Sequence, residues 1–308
     1  MNRPNGINTA YNYDNLSRLL SVLHQAGPAN VDGASYGGAC PERSRRDHAG
    51  NRTSKLNLLN GVNEHYSYDA LYQLTQVLQD ANGGTLTNES YSFDKVGNRL
   101  SSLGLDSWLY NSSNQLTSTP SSSFTGACPE RSRRDNSGNM LTKADANGTA
   151  TYTWDFENRL ASAFAPATGT TTFRYDPFGR RIQKSGPLGT TTFVYDGANI
   201  VAEYDGTGAL AAKYAHGAGV DQPLAMWRAG QIGFYQADGL GSITSLTDSA
   251  RSPLATYTYD AFGRTTATGT LFNPFQYTGR EWDAETGLYY YRARYYDANA
   301  AVSRPKIP

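Results

Sequence analysis

Cysteine is nearly absent from this chain. Two residues in 308, Cys40 and Cys128, give no disulfide framework and no CxxC or Cys/His spacing for zinc. No apolar stretch approaches the roughly 20 residues of a membrane helix, and the opening MNRPNGINTAYNYD has no apolar core of a secretion signal. Neither charge sign is in excess. Lys and Arg number 27 and Asp and Glu 27, so no bulk field draws the chain to nucleic acid or to a membrane surface. The histidines, His24, His48, His65 and His216, fall in no HExxH or other ligand spacing, and no GxSxG elbow or P-loop occurs. The expectation is a protein without a metal site, a cofactor or a catalytic residue.

Aromatic residues are abundant, and they recur. Tyr (22) outnumbers Phe (11), and Gly (31) is about a tenth of the chain; with Thr this favours short strands joined by tight turns. The recurring unit is aromatic-x-aromatic-Asp, then two or three residues, Gly or Asn, Arg or Gln, and an apolar residue. It begins at Tyr11, Tyr66, Tyr91, Trp108, Tyr152, Phe173, Phe193 and Tyr257, and such periodicity means one supersecondary unit per repeat, stacked on its neighbours. Aromatics at i and i+2 share one face of a strand. The Asp that follows accepts from backbone amides two residues on and starts a turn, and Gly97, Gly179 and Gly263 supply positive φ. Stacking brings like positions together, so Arg and Asp of adjacent repeats are expected to pair.

The densest aromatic stretch runs from Phe275 to Asp297, FQYTGREWDAETGLYYYRARYYD. Read as a hairpin turning near Asp283 to Gly287, it ends in one long strand. Tyr289, Tyr291, Ala293 and Tyr295 then share one face and Tyr290, Arg292, Arg294 and Tyr296 the other. The residues expected to build this motif are Tyr277, Gly279, Arg280, Asp283, Gly287, Tyr289, Tyr291, Arg292, Arg294, Tyr295, Tyr296 and Asp297. Glu281, Asp283 and Glu285 share one turn, which suits capping better than a glycosidase pair facing across a cleft or a calcium loop.

This stretch, with YQADGLGSITSLTD at Tyr235 to Asp248, resembles the RHS repeat-associated core of bacterial RHS/YD-repeat proteins, whose relatives include toxin-complex shell components and the teneurins. The resemblance implies an all-β fold of stacked YD hairpins, a curved, spiralling antiparallel sheet forming part of a hollow shell. It implies a structural function, enclosing or presenting a C-terminal toxin cargo, and a secreted or cell-surface setting. In related proteins the core ends in an acidic self-cleaving segment. Here the match fails at Ala298 and no Asp or Glu follows Asp297, so self-cleavage, which needs paired carboxylates, is not expected. A second reading is a cell-surface adhesion or glycan-binding module, with Trp227, Trp282 and the tyrosines as stacking platforms; their period-2 spacing suits burial better.

The chain divides on this reading into a repeat array over 1–270, a core segment over 271–297 and a divergent tail over 298–308. The array starts almost at once, at Tyr11, as in a fragment of a longer protein. The nonapeptide GACPERSRR stands at 38–46 and again at 126–134. Deleting Gly37 to Arg46 restores a regular unit, YDHAGNRTS, so the copies read as insertions that bulge as solvated loops. Their excess of two positive charges each lacks the interleaved aromatics of a nucleic-acid site.

Overall fold

A computed structural model describes residues 3–14, 18–36, 51–81, 84–103, 105–125, 139–219, 221–292, 294–300 and 302–304. Both GACPERSRR copies, with Cys40, Cys128 and His48, lie outside them, as does Ala293. The all-β expectation holds: among the described residues every element is a strand except one short 3-10 turn, Tyr277–Gly279. Two compact units interleave in sequence. The first takes Met1–Ser107, Phe234–Tyr257 and Ala267–Gly269, the second Trp108–Gly233, Thr258–Thr266 and Thr270–Pro308.

In the first unit eight strands, from Asn8–Tyr13 to Arg99–Ser102, lie side by side in chain order. In the second, twelve strands from Leu109–Tyr110 to Pro223–Arg228 do the same, and a separate four-stranded sheet gathers the core segment. Strands flanking each insertion pair with one another, Tyr36 opposite Lys55 and Thr125 opposite Thr142. Pairing also continues past Asp297: Val302–Arg304, within the stretch read as a divergent tail, runs antiparallel to Tyr295–Asp297.

One corner recurs at the Asp of most repeats, whereas Asp196 closes by a shorter turn directly opposite Asn199. At Asp176 the amide donates to the Arg180 carbonyl and the Gly179 amide returns to the Asp176 carbonyl, both at 2.9 Å. The Asp176 carboxylate accepts from the amides of Phe178 and Arg180. The fourth residue sits at positive φ, as in Gly97 (89°), Gly179 (78°), Asn158 (60°) and Tyr72 (62°). Asp205, Asp238 and Asp248 build the same corner, although their flanks lack the aromatic pair by which the repeats are recognised in sequence. After each corner the return strand carries one extra residue. Trp154 opposes Leu160 while Thr153 opposes Ser162, and Tyr175 opposes Arg181 while Arg174 opposes Gln183. This bulge points the fifth residue after the Asp inward: Leu116, Leu160 and Ile243 are buried there.

Four arginines pair with the Asp of their own corner, four residues back, and not with that of an adjacent repeat as expected: Arg18 with Asp14, Arg159 with Asp155, Arg180 with Asp176 and Arg264 with Asp260. At Asp94 that place is held by Asn98. The local pair wins because the corner already holds the carboxylate beside the returning strand. The far end of the guanidinium does reach onward. Arg180 Nη1 donates to the Gly197 carbonyl at 2.8 Å, and the group lies 5.3 Å from the Tyr195 ring centre.

The excess of Tyr over Phe has a physical reason. In the aromatic pairs that begin at Tyr152, Phe173 and Phe193 the first ring is buried, and the second is half-buried with its polar tip turned to the preceding repeat. Tyr175 Oη donates to the Leu160 carbonyl at 3.0 Å, and Tyr195 Oη to that of Arg181 at 2.9 Å. Trp154 Nε1 serves the Met140 carbonyl, and His216, standing where a Tyr would, serves Ile200 through Nε2. Burial pushes Tyr175 up to about 12 and raises Tyr195 further, against the pull of Arg181 on both, so both hydroxyls stay donors. His216 is pushed down by burial.

Candidate functional site in the core segment

Within the second unit the segment from Leu271 enters through Phe275, which meets the Tyr214 ring edge-on at 5.0 Å and that of His216 at 5.8 Å. Tyr277 and Gly279 (φ 71°) form the 3-10 turn. The hairpin turns at Asp283 to Gly287 as the sequence implies, with the Gly287 amide on the Asp283 carbonyl at 2.9 Å.

The long final strand does not exist. Leu288–Tyr290 and Tyr295–Asp297 are two strands, joined where the Tyr291 amide donates to the Arg294 carbonyl and Arg292 takes φ 58°. Tyr289 opposes Tyr296 and Tyr290 opposes Tyr295, so the expected faces are re-sorted. One face presents Glu281, Asp283, Leu288, Tyr290, Tyr295 and Asp297, the other Trp282, Tyr289 and Tyr296. No Gly, Asn or Pro marks the turn. The packing of four rings on two opposite faces outweighs the cost of a positive φ at Arg292.

The first face is anchored by charge. Arg181, at the inward fifth position that is apolar in most repeats, is 1% exposed and pairs with Asp283, also 1% exposed. Its Nη1 donates to Tyr295 Oη at 3.3 Å and the guanidinium lies 4.1 Å from the Tyr290 ring centre. Desolvation pulls the guanidinium pKa down, and Asp283 more than reverses it. Lys184 bridges Asp283 and Glu285. Asp297, fully buried, takes Lys143 Nζ at 2.9 Å and the amides of Asn299 and Ala300. The three acids are thus divided. Asp283 and Glu285 are ion-paired, while Glu281 Oε2 is buried without a hydrogen-bond partner, and desolvation pushes its pKa up to about 7 against the pull of Arg181.

The second face is held by hydroxyls. Tyr289 Oη meets Thr265 and Gln276, Tyr291 Oη meets Thr278 at 2.6 Å, and Tyr296 Oη donates to the Phe262 carbonyl at 2.6 Å. Tyr277 packs beside Tyr259, Tyr289 and Tyr296. Arg280 and Arg292 converge on Asp221, and Arg280 covers the Tyr291 ring. Arg294 is exposed. Of the two tryptophans read as stacking platforms, Trp282 packs tilted against Tyr289, ring centres 4.9 Å apart, while Trp227 is 37% exposed.

The stretch from Tyr235 to Asp248 behaves differently, within the first unit. Its strand Ile243–Thr247 lays Thr244 and Ser245 on the Asp32 carboxylate, at 2.5 and 2.6 Å, and Asp32 is 1% exposed. His24, opposite Asp32 across the strands, donates from Nε2 to the Ala237 carbonyl and accepts from Thr9 at Nδ1. Burial pushes its pKa down to about 4. Gly239 brings its amide to Tyr36 Oη, where an added Cβ would stand 2.6 Å from Leu19. The sequence assigns His24 no such position; its place on the inward face of Leu19–Ala26 is the one signal it carries.

A family model described as Teneurin YD-shell matches residues 51–301. The tRNA3(Ser)-specific nuclease WapA of Bacillus spizizenii is 31% identical over 313 residues, 97% of this chain and 12% of that protein. Double-stranded DNA deaminase toxin A of Burkholderia cenocepacia is 28% identical over 287 residues, 82% of this chain and 19% of that one. Among solved structures, TcdB2-TccC3-Cdc42 aligns with 96% of this chain and 19% of its own at 16% identity and a TM-score of 0.45. The Photorhabdus luminescens Tc holotoxin pore aligns at 14% identity and a TM-score of 0.41. The chain therefore spans between 12% and 19% of the length of these two curated relatives. From the repeats before Tyr66 to the last strands of the core segment, it belongs to the YD-shell family of RHS/YD-repeat proteins.

Proposed function

We propose that this segment is a non-catalytic section of a YD-repeat shell, whose wall encloses or presents a toxin carried beyond the repeats in the intact protein, in a secreted or cell-surface setting. One observation carries the reading. A tRNA nuclease and a DNA deaminase, named for unlike chemistries, both match most of this same stretch. What two unlike toxins have in common is not where their activities diverge. The side chains here support it: Asp283 and Asp297 are each committed to a buried cation, so neither is poised to share a proton as acid proteolysis requires.

Purified chain incubated with tRNA and with double-stranded DNA is expected to leave both unchanged, and its intact mass is expected to stay constant over days. Turnover that co-purifies with the chain and disappears in Asp283→Asn or Asp297→Asn would overturn the non-catalytic reading. The cargo part is tested in the full-length protein. The C-terminal domain is expected to resist protease until the repeats are loosened by Arg181→Ala, and equal sensitivity in both forms counts against enclosure.

A further inference from the structure

Between two neighbouring corners and the core sheet, all in the second unit, lies a cavity of about 540 Å³, inside the usual range for ligand sites of roughly 300–1,000 Å³. Phe178, Tyr195 and Tyr290 supply aromatic walls, and Arg159, Arg180, Arg292 and Glu281 supply its charged groups. Phe178 is 84% exposed at the corner tip, a costly position for a bare ring and a natural rim for an occupant.

Two polar atoms at this cavity are unmet. Tyr290 is 1% exposed and its hydroxyl has no hydrogen-bond partner, and neither has Glu281 Oε2. The hydroxyls of Tyr277, Tyr289, Tyr291, Tyr295 and Tyr296 each have one, so the unpaired hydroxyl is specific to this position. A buried polar atom left unpaired costs roughly 1–3 kcal/mol. The guanidiniums are only partly used: Arg180 spends Nε on Asp176 and Nη1 on Gly197, Arg159 spends Nε and Nη1 on Asp155, Glu157 and Asp176, and Arg292 spends Nη2 on Asp221.

We propose that this cavity is a binding site for a carboxylate carried next to an aromatic or apolar group, either a small aryl acid or the acidic end of a peptide. A carboxylate accepts from the Tyr290 hydroxyl and from guanidinium N–H groups in a planar, two-pronged geometry that suits arginine. The attached ring packs against the exposed Phe178 at the rim, whose other neighbour is the Arg180 guanidinium, 5.4 Å from its ring centre and 5.3 Å from that of Tyr195. A cation is disfavoured by three guanidiniums, and a neutral amide forgoes their charge. Glu281 sets the pH dependence. It is faced by Arg181 from the repeat strand, Arg280 and Arg292 from the core segment, Asp283 on its own strand, and the hydroxyls of Tyr195 and Tyr290. Protonated, it adds a donor to the ligand; ionised, it repels it. The inference is independent of the shell reading and survives or falls without it.

The test is titration calorimetry of the full chain with 3-phenylpropionate, 3-phenylpropanamide and 2-phenylethylamine, and with an N-acetylated peptide ending in phenylalanine. Saturable binding of the carboxylates alone is expected at pH 6, weakening as pH passes 7 and approaching about tenfold per pH unit once Glu281 is mostly ionised. Tyr290→Phe is expected to weaken it about five- to tenfold without lowering the melting temperature, since that hydroxyl holds nothing in the fold. Glu281→Gln is expected to remove the pH dependence. Preference for the peptide over phenylpropionate marks a chain end as the ligand, and equal affinity marks a small acid. Binding of all three small probes alike, binding unchanged in Tyr290→Phe, or no saturable heat with any carboxylate would overturn the proposal.

Discussion

The two units share a corner and differ in what their inner residues do with it. In the first, the stretch from Tyr235 to Asp248 packs hydroxyls on a buried carboxylate beside a buried imidazole, Thr244 and Ser245 on Asp32 and Thr9 on His24, and adds one buried ion pair, Lys55 with Asp238. In the second, buried polar groups are settled by full charges among rings, Arg181 with Asp283 and Lys143 with Asp297. The corner is the recurrent device, and the inward fifth position is the variable one. At 181 an arginine in place of leucine anchors the core segment through Asp283, while the arginine at the same place in the first unit, Arg99, is buried within that unit. The difference should be readable as opposite responses to acid, because His24 resists a proton while Glu281 holds one.

The largest effect is expected at Arg181. Removing one partner of a buried pair strands the other charge and costs about 3–5 kcal/mol, whereas replacing both with well-packed apolar residues is close to neutral. Arg181→Ala should therefore lower the unfolding midpoint sharply, and Arg181→Met with Asp283→Leu should recover most of it. If the double variant is no better than the single one, charge itself is required, and the contrast with the first unit is one of chemistry rather than of packing.

His24 comes next. Its folded pKa, about 4, lies below the ordinary value near 6.5. The unfolded chain binds the proton first, so its contribution is full above pH 6.5 and is lost as pH falls from 6.5 to 4, about 3 kcal/mol in all. Hydrogen exchange followed by mass spectrometry across this window should show Leu19–Ala26 and Ile243–Thr247 losing protection while Leu288–Tyr290 does not. Uniform loss in both units would erase the comparison.

The first unit's network is hidden in the sequence and the second unit's motif is not, and the difference is one of reach. The corner is local: Asp, the positive-φ residue three on and the returning strand are within six residues, so the hairpins and their order are legible. The aromatic density of 275–297 is legible too, as a motif. Its internal break at Arg292 is not, because that positive φ is imposed by ring packing and no turn residue announces it. Arg181 to Asp283 spans 102 residues and Asp32 to Thr244 spans 212. No spacing rule connects such positions, and the one hint is an Arg at a site where Leu recurs. The expected Arg–Asp pairing between neighbouring repeats fails because it weighs stacking above a contact four residues away.

Glu281 gives the second unit its opposite sign. Its folded pKa, about 7, lies above the ordinary carboxylate value, so the folded state keeps a proton the unfolded chain has released. Stability then falls as pH rises from about 4.5 to 7 and is flat beyond. Glu281→Gln should remove that penalty, raising the midpoint at pH 8 by about 1–2 kcal/mol, allowing for the water that still reaches part of the side chain, with no gain at pH 4.5. A gain of equal size at both pH values would mean the side chain acts by shape, and the acid contrast would rest on His24 alone.

The smallest effect tests the shared half of the comparison. Gly97 and Gly179 hold the same place in the corner, one in each unit, at φ 89° and 78°. An added Cβ at Gly179 meets nothing within 4 Å, and at Gly97 it meets only the end of the Gln73 side chain at 3.1 Å. Alanine at either site therefore charges the left-handed backbone and little else, about 1 kcal/mol. Gly97→Ala and Gly179→Ala should shift the unfolding midpoint by similar amounts and leave the opposite pH responses of His24 and Glu281 untouched. Clearly unequal costs would mean that the corner is tuned by its unit, and that the inward residue and the turn are not separable parts.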